Sequence, residues 1–338
     1  MVTNSQIAKA AGVSPAVVSR IVNGDKTLRV SEETRKRVLE LVEEMGYAPN
    51  AAARSLRSAK AGMIALVVHD VTNPVYAEII SGAQHAAAAH GKAVLLGEAS
   101  GETDGAKRIE ELIAGNGIDG LILQGAGTAM DKALARAAQR SVPTVLLQSG
   151  KARNATLLRL DDEAAGRLAT QRLIDAGHRR IGFLGASDSL QFARYRRQGW
   201  HLALEENHIP FDPEATEHAA STFREGAEAI AALLDRKPDL TAVVAANVIT
   251  AIGALSMLLD RGFTVPRDFS VIGIQDAEIA AVFRPALTVV QMPLYALGEK
   301  AVNVVCQGPT KSTEILLSDS PLSIVERSTI AAPPEKGL

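Results

Sequence analysis

From Gly62 onwards, short apolar runs alternate with longer stretches of helical periodicity. The first runs are MIALVVH, KAVLLGE, GLILQG and PTVLLQ, and a second series is IGFLG, TAVVAAN and SVIGIQ. Helical stretches lie between them at 75–90, 129–139, 161–176, 191–207, 222–236 and 248–261. Parallel strands need a crossover connection, which a helix usually supplies, so this alternation predicts parallel sheets covered by helices. The body of the chain is therefore predicted to be α/β.

Polar residues stand at or just after the ends of several of these apolar runs. In parallel sheets the carboxyl ends of the strands meet along one edge, where ligands collect. The candidates at these ends are Asn73, Tyr76, Gln124, Gln148, Ser149, Asn247 and Gln275. For any one of them, a loop side chain that bonds to nearby backbone is an equally good explanation.

The first sixty residues show a different pattern, with start and stop signals for short helices. Thr3 and Gln6 have the spacing of a capping box, and Gly12 would end the helix that follows. Ser14-Pro15 is a second start, because proline loses no hydrogen bond in the first turn, and Asn23-Gly24 is the next stop. About three residues that include a glycine separate the two helices, which is helix-turn-helix spacing.

A third helix is expected after Ser31, where apolar residues recur at helical spacing. Its apolar stripe consists of Val38, Leu41, Val42 and Met45. The pattern alone leaves a plain helical bundle and a DNA-binding module as alternatives. Residues 1–60 carry ten Lys or Arg against six Asp or Glu, a formal +4, so the rest must carry −6 to give the net −2. This basic segment favours DNA binding, because Lys and Arg neutralise phosphates.

Long ordered motifs in this sequence resemble the LacI/GalR family of bacterial repressors. The resemblance covers nearly the whole chain and rests on IAKAAGVSPAVVSRIVNG, VSEETRKRVLELVEEMGYAPNAAARSL, VTNPVYAEIISG, DDEAAGRLATQRLIDAGHRRIGFLG, GALSMLLDRGFTVPRDFSVIGIQD and PALTVV. It implies an N-terminal all-α helix-turn-helix domain with a hinge helix, then an α/β periplasmic-binding-protein-like core of two doubly wound subdomains. The implied domains are 1–48 (helix-turn-helix), 49–61 (hinge helix and linker) and 62–338 (effector-binding and dimerisation core). Within the core, one subdomain takes about 62–160 and 292–320, and the other about 161–291 and 321–330.

The resemblance assigns major-groove contacts to the second helix. Pro15, Ala16 and Arg20 would face base edges, and Arg20 can pair with guanine O6 and N7. Phosphates or helix ends would be held by Thr3, Ser14, Ser19 and Asn23. Pro15 and Ala16 offer only apolar contacts, for example to a thymine methyl group, so the operator sequence is not predicted.

The segment NAAARSLR at 50–57 resembles the hinge helix of the family. A helix this short is unstable alone in water, so it would form only against its twin in a dimer and the DNA. The resemblance implies DNA contacts for Asn50, Ala53 and Leu56. Leu56 would be an apolar wedge at a minor-groove step, with ordinary linker packing as the alternative.

The resemblance also places a small-molecule effector in the cleft between the two subdomains. The residues expected to line this cleft are Asn73, Tyr76, Gln124, Gln148, Phe192, Arg196, Asn247, Gln275 and Gln291, the last in a crossover. Arg196 belongs to an Arg-x-x-Gly-aromatic motif that matches the family. Sugar-responsive relatives commonly carry aspartates at three positions that are Gln148, Val248 and Gln275 in this chain.

This loss of acidic residues bears on the chemistry of the effector. A buried guanidinium needs a counter-charge, because an unpaired ion in a protein interior is costly. A sugar is the effector that the resemblance implies, and the hypothesis from sequence adds a sugar acid or other small anion, which would supply that charge to Arg196. Asp276 or Asp70 is the alternative partner of Arg196.

Together these features predict a sequence-specific transcription regulator, by family default a repressor, that binds a palindromic double-stranded operator as a homodimer. The effector would move the subdomains and so form or melt the paired hinge helices. Helices beginning near 75 and 104 and the segment 276–283 would form the dimer interface. The tail AAPPEKGL has no leucine heptads, so a dimer is expected rather than a tetramer. Induction or co-repression, and repression or activation, remain open.

Other classes of protein are less consistent with the sequence. Cys306 is the one cysteine, which excludes an internal disulfide framework and a multi-cysteine metal site. No apolar run approaches the roughly 20 residues of a membrane span and no secretory signal is present, so a cytoplasmic protein is expected. Neither Gly182 and Gly185 nor His69-Asp70 completes a catalytic or cofactor motif, and His178 is expected to cap a helix. We therefore expect neither an enzyme nor a cofactor. A transport solute-binding protein would share the body fold but lack the N-terminal module.

Overall fold

Two compact units make up the chain, Met1–Ala61 and Gly62–Leu338. The computed structural model describes residues 2–25, 27–47, 60–98, 104–124, 129–138, 141–148, 154–186, 190–308 and 312–334. The predicted hinge residues Asn50, Ala53 and Leu56 lie outside these ranges.

The first unit has three helices in its described residues: α1 (Asn4–Ala11), α2 (Pro15–Val22) and α3 (Glu32–Glu44). Thr3 and Gln6 form the predicted capping box at the start of α1. At α2, Ser14 Oγ accepts a hydrogen bond from the Val17 amide at 3.3 Å. Gly12 follows α1 with a φ of 66°, the left-handed conformation that a glycine at this position adopts without strain. The predicted starts of α1 and α2 are confirmed.

A small apolar core joins these helices. Its buried residues come from all three helices and are Ile7, Ala8, Ala11, Val18, Ile21 and Val38. Arg37 of α3 donates a hydrogen bond to the Ala11 carbonyl at 2.6 Å, which satisfies the C-terminal end of α1. With one face of α2 on this core, Pro15, Ala16 and Arg20 are left exposed.

The second unit contains two sheets with helices between their strands. The strands are β1 (Met63–Val68), β2 (Ala93–Glu98), β3 (Gly120–Leu123), β4 (Thr144–Leu147), β5 (Thr156–Arg159), β6 (Ile181–Gly185), β7 (Thr216–His218), β8 (Ala242–Ala245), β9 (Ser270–Ile274), β10 (Thr288–Gln291), β11 (Thr313–Leu316) and β12 (Ser323–Val325). The helices are α4 (Tyr76–Ala89), α5 (Asp104–Ala114), α6 (Ala129–Ala138), α7 (Asp162–Asp175), α8 (Gln191–Glu206), α9 (Phe223–Arg236), α10 (Val248–Asp260), α11 (Glu278–Val282) and α12 (Leu294–Cys306). A 3-10 turn, Pro213–Ala215, precedes β7.

Each sheet is doubly wound around its first strand. The first sheet has the order β11-β5-β4-β3-β1-β2 and its strand pairs are parallel. The second has the order β12-β10-β9-β8-β6-β7, in which β12 is antiparallel to β10 and the other pairs are parallel. The chain passes from one sheet to the other at 160–161, 292–293 and 317–322. The predicted α/β fold is confirmed, and its strand order turns at β1 and at β6, where ligand crevices form in such sheets.

The sequence does not predict five of the described strands, β5, β7, β10, β11 and β12. Three of these, β7, β11 and β12, lie at sheet edges. Edge strands are partly solvated and can be short and polar, so they lack the apolar run by which a central strand is recognised. The sequence TEIL of β11 and the three residues of β12 are examples.

Three helix pairs pack with their backbones in contact at glycines. The pairs are Gly82 of α4 with Gly298 of α12, Gly166 of α7 with Gly199 of α8, and Gly226 of α9 with Gly253 of α10. A Cβ atom at Gly166 would lie 2.0 Å from the Arg196 carbonyl oxygen. One at Gly199 would lie 2.0 Å from the Glu163 carbonyl oxygen. Helices α7 and α8 can therefore approach this closely only without side chains at both positions, which fixes Arg196 against α7.

Candidate functional site

The DNA-contact residues predicted on the first unit lie at its surface. The exposed ones are Thr3, Ser14, Pro15, Ala16, Arg20 and Asn23, and Ser19 is half-buried. Thr3 and Ser14 are helix N-caps, and the Asn23 side chain donates a hydrogen bond to the Ser19 carbonyl at 2.6 Å. These polar groups therefore shape the helices, and their contacts with DNA stay predictions.

Arg20 is held by the loop that follows α2. Its Nε donates to Asp25 Oδ2 at 2.7 Å, and its Nη2 donates to Thr27 Oγ1 at 3.0 Å. Thr27 in turn donates from its hydroxyl and its amide to Asp25 Oδ1, at 2.7 and 2.8 Å. Hydrogen bonds from Thr27 and Arg20 lower the pKa of Asp25 to about 2, so its carboxylate is ionised at neutral pH. No sequence pattern described above predicts this arrangement.

In the second unit, polar side chains at the ends of first-sheet strands meet side chains of helices α7 and α8 in one buried series of contacts. Gln124, directly after β3, donates from Nε2 to Gln148 Oε1 at 3.3 Å. Gln148, directly after β4, donates from Nε2 to Asp162 Oδ2 at 3.3 Å. Asp162 begins α7 and accepts a hydrogen bond from Arg196 Nε of α8 at 2.8 Å. All four residues are at most 8% exposed, so the series links the first sheet to helices of the second away from water.

Arg196 has its counter-charge inside the protein. Its Nη2 lies 2.8 Å from Asp162 Oδ1, the oxygen that also accepts from Nε, and 3.5 Å from Met292 Sδ. Its Nη1 donates to the Ala246 carbonyl. Phe192 covers the guanidinium, with 5.2 Å between Cζ and the ring centre. The premise of the anionic-effector hypothesis is therefore wrong, because Arg196 is already neutralised by Asp162.

The partners that sequence analysis considered for Arg196 are engaged elsewhere. Asp70 Oδ1 accepts hydrogen bonds from the amide and hydroxyl of Thr72, at 2.8 and 2.6 Å. Asp276 accepts two hydrogen bonds from Arg327, at 3.0 and 2.7 Å. Asp162 has little signal in the sequence, because an aspartate in the first turn of a helix is explained by the helix dipole alone.

The buried cluster carries a balanced charge and an unused acceptor. Burial raises the pKa of Asp162, and Arg196 and Gln148 act against that rise by stabilising the carboxylate. Gln124 Oε1 has no hydrogen-bond partner among the described residues, and neither has Nδ1 of His69, directly after β1. Strands β1 and β3 are neighbours in the sheet, so His69 and Gln124 stand at adjacent strand ends. Their unsatisfied atoms could bind hydroxyl or N–H groups of a ligand there. Sequence reasoning considered His69 only as part of a catalytic relay.

Two further strand-end residues have distinctive local roles. Asn247 caps α10: its Oδ1 accepts from the Thr250 amide at 2.8 Å, and its Nδ2 donates to Ser221 Oγ at 3.2 Å. Gln148 and Gln275 both have positive φ, 53° and 72°. Left-handed backbone outside glycine costs about 1–3 kcal/mol and clusters at functional sites. The side-chain amides of Gln148 and Asn247 are both already hydrogen-bonded within the protein, so Gln275 is the strongest ligand candidate of these three residues.

The other predicted cleft residues are Gln291, Asn73 and Tyr76. Gln291 is the exposed last residue of β10, and the crossover begins one residue later. Its predicted position in the crossover is therefore wrong. Asn73 Oδ1 accepts a hydrogen bond from the Val75 amide at 3.1 Å, next to Tyr76 at the start of α4. Their part in effector binding stays a prediction.

His178 is a buried structural residue, and its amide caps α7 as predicted. It donates a hydrogen bond to the Leu173 carbonyl at 3.1 Å, next to the bond from the Gly177 amide to the Ile174 carbonyl at 2.9 Å. Its Nδ1 lies 2.9 Å from Thr241 Oγ1, and its Nε2 lies 3.0 Å from the Ala331 carbonyl oxygen. Burial lowers the pKa of His178. The imidazole thus connects the segment after α7 to the region that follows β12.

A separate cavity of about 410 Å³ lies between α7 and the connection at 317–322, and Asp161, Leu168 and Leu322 are among its lining residues. It contains none of the predicted effector-binding side chains. Within the described ranges, no group of three or more His, Cys, Asp or Glu side chains could hold a metal ion. None of the described helices combines the length and apolar character that a membrane span needs.

A helix-turn-helix unit and a body of two doubly wound sheets in one chain define the class of transcriptional regulators that pair a DNA-binding module with a sensor-type α/β domain. The chain belongs to the LacI family. The family model for bacterial regulatory proteins of the LacI family matches residues 5–50. The model for periplasmic binding proteins and the sugar binding domain of the LacI family matches residues 61–323. The predicted family is confirmed, and the DNA-binding match argues against a transport protein.

Known relatives match over almost the full length of the chain. The HTH-type transcriptional repressor CytR of Escherichia coli (strain K12) is 32% identical over 337 residues, which cover 98% of this chain and 97% of CytR. A complex of the transcriptional regulator CelR with cellobiose is similar with a TM-score of 0.72 at 28% identity, covering 97% of this chain and 100% of that chain. The Lac repressor dimer bound to operator and the anti-inducer ONPF has a TM-score of 0.81 at 26% identity, covering 98% and 99%.

Proposed function

We propose that this protein is a transcriptional repressor that binds a palindromic operator as a homodimer, with an affinity set by a small-molecule effector in the second unit. One chain contains both a capped helix-turn-helix with an exposed Arg20 and a buried polar cluster that links the first sheet to α7 and α8, and this combination carries the proposal. A dimer on operator DNA is what the similar Lac repressor structure contains. No catalytic step belongs to this function, and a bacterial regulator of chromosomal genes works in the cytoplasm.

In this proposal α2 enters the major groove and Arg20 pairs with a guanine, while Pro15 and Ala16 make apolar contacts. Phosphate contacts come from Thr3, Ser14, Ser19 and Asn23, and minor-groove contacts from Asn50, Ala53 and Leu56. The exposure of Pro15, Ala16 and Arg20 on one helix of a basic unit supports this arrangement.

The effector that we propose is a neutral, hydroxyl-rich molecule such as a sugar. An anion would find no unpaired charge at Arg196, because Asp162 is 2.8 Å away and both side chains are at most 2% exposed. Gln124 Oε1 and His69 Nδ1 instead offer buried groups for neutral hydrogen bonding. Cellobiose, present in the CelR complex, is a molecule of this chemical class.

Arg20→Ala is expected to weaken operator binding by about 5- to 150-fold, which corresponds to the roughly 1–3 kcal/mol of one arginine–guanine pair. It should also remove the preference for one guanine in each half-site. The operator is first selected from a random DNA pool with the full chain, and affinities are then measured for the selected site and single-base variants at fixed salt.

Lys36→Ala is the matched control, since it removes one exposed positive charge from α3 of the same unit. It should weaken binding slightly and equally for all sequences. A selected site without two-fold symmetry, or an Arg20→Ala protein with unchanged base preference, would contradict the proposed function.

A further inference from the structure

The contacts of Arg20 leave one edge of its guanidinium free. Of the five N–H groups of an arginine, Nε–H is bonded to Asp25 and one Nη2–H to Thr27. The described residues provide no acceptor for Nη1 or for the second Nη2–H. These remaining groups form the fork that can span two acceptors on one base edge. The other fork, formed by Nε–H and one Nη2–H, is already hydrogen-bonded to Asp25 and Thr27.

The loop that makes these contacts is organised without DNA. The Asp25 amide donates to the Arg20 carbonyl at 3.0 Å, and Gly24 permits the turn with a φ of 71°. Thr27 donates to Asp25 from its amide and its hydroxyl, and its hydroxyl oxygen accepts from Arg20. Thr27 therefore bridges the Asp25 carboxylate and the Arg20 guanidinium. The guanidinium is therefore held in one orientation, although the side chain of Arg20 is 47% exposed.

Asp25 is also an acidic side chain in a unit whose formal charge is +4. Near DNA it repels phosphates, so it opposes binding that depends on charge alone. A carboxylate in this place lowers attraction to all DNA while it fixes the group that reads a base, and both effects increase discrimination between sequences. An arginine fixed in advance also loses less freedom on binding.

We propose that Asp25 is a positioning residue for sequence recognition, which together with Thr27 holds Arg20 so that only its Nη1–Nη2 fork meets a guanine. This inference rests on the proposed function, in which Arg20 reads the base. Asp25 acts through Arg20 and makes no base contact itself.

The test measures the affinity of the full chain for the selected operator, for the operator with the guanine replaced, and for unrelated DNA. The ratio of the first two affinities is the discrimination. Asp25→Asn is expected to lower the discrimination about two- to five-fold, the range of an exposed ion pair. It should at the same time raise the affinity for unrelated DNA, because one negative charge is lost. A partial loss of folding would lower the affinity for all three DNAs by the same factor and leave the discrimination unchanged.

Two matched variants separate positioning from charge. Glu43→Gln removes an exposed negative charge from α3, so it should raise the affinity for unrelated DNA and leave the discrimination unchanged. Thr27→Val removes a contact to Arg20 without a change of charge, so it should lower the discrimination and leave the affinity for unrelated DNA unchanged. In an Arg20→Ala background, Asp25→Asn should leave the discrimination unchanged.

An unchanged discrimination in Asp25→Asn would overturn the positioning role, and so would an equal loss in Glu43→Gln. An increase would also overturn it, since Asp25 would then withhold Arg20 from the DNA. Failure of the proposed function gives a different result. If Arg20 does not read a base, Arg20→Ala leaves the discrimination unchanged, which overturns both the role of Arg20 and that of Asp25.

Discussion

Arg196→Met is expected to lower the free energy of unfolding of the second unit by about 3–5 kcal/mol at neutral pH. The substitution keeps an unbranched side chain of similar length but leaves the carboxylate of Asp162, 2% exposed, without its counter-charge. An unpaired ion in this position is shielded from water and keeps only the hydrogen bond from Gln148 and the charge of Arg159. Denaturant unfolding of the full chain, followed by circular dichroism, measures the loss.

Arg172→Met is the matched control, because Arg172 pairs with Glu326 at 26% and 52% exposure. A pair this exposed contributes only about 0–1 kcal/mol. The double variant Arg196→Met with Asp162→Asn should recover most of the lost stability, since no buried charge remains. A loss of less than about 1 kcal/mol in Arg196→Met would show that Arg196 does not stabilise the buried Asp162 carboxylate. A double variant no more stable than Arg196→Met would show the same.

The same variant should have a characteristic dependence on pH. Burial raises the pKa of Asp162 above its ordinary value of 3.8. A carboxyl whose pKa is raised by folding binds its proton more tightly in the folded state, so the folded state gains stability as pH falls and loses it as pH rises through the raised pKa. Without Arg196 the pKa rises further, so the destabilisation should shrink as pH is lowered from 7 towards 3.8.

Gly199→Ala is expected to destabilise the second unit by about 3 kcal/mol, at the upper end of the range for overpacked cores. The new Cβ would lie 2.0 Å from the Glu163 carbonyl oxygen and 2.7 Å from the Arg167 amide nitrogen. Both contacts are with backbone, so only separation of α7 from α8 can relieve them. That separation would also lengthen the contact between Asp162 and Arg196.

Gln198→Ala is the control for Gly199→Ala, because it changes the exposed neighbouring residue of α8. A surface substitution of this kind should stay within about 0.5 kcal/mol of the wild type. Thermal unfolding compares the two proteins. Equal stability of Gly199→Ala and Gln198→Ala would contradict the backbone contact between the helices.

Local rules predict the helix starts and the central strands well. Thr3 and Ser14 cap helices because their side-chain oxygens accept hydrogen bonds from nearby amides, which depends on neighbours in the sequence alone. The apolar runs at β1 and β6 become strands because both faces of a parallel sheet are buried. Short edge strands such as β12 follow from pairing with a neighbouring strand, which no local pattern records.

The candidate site depends on contacts that local rules do not contain. Asp162 and Arg196 are 34 residues apart and meet only because Gly166 and Gly199 let two helices cross closely. Sequence reasoning sought a partner for Arg196 at strand ends, whereas the partner begins a helix. Asn247, by contrast, is a polar residue after a strand whose local role follows from a sequence rule, because its side chain caps α10. The effector and DNA roles of individual residues stay predictions.

Coupling between effector binding and operator binding is tested most directly by the operator affinity of the full chain with and without a bound neutral sugar. Neutral sugars and sugar acids are first screened for binding to the protein by calorimetry. We expect a neutral sugar to bind and to change operator affinity at least about five-fold, with the operator changing sugar affinity by the same factor. The direction of the change distinguishes induction from co-repression. A neutral sugar that binds the second unit and leaves operator affinity unchanged, or binding by sugar acids alone, would contradict this account.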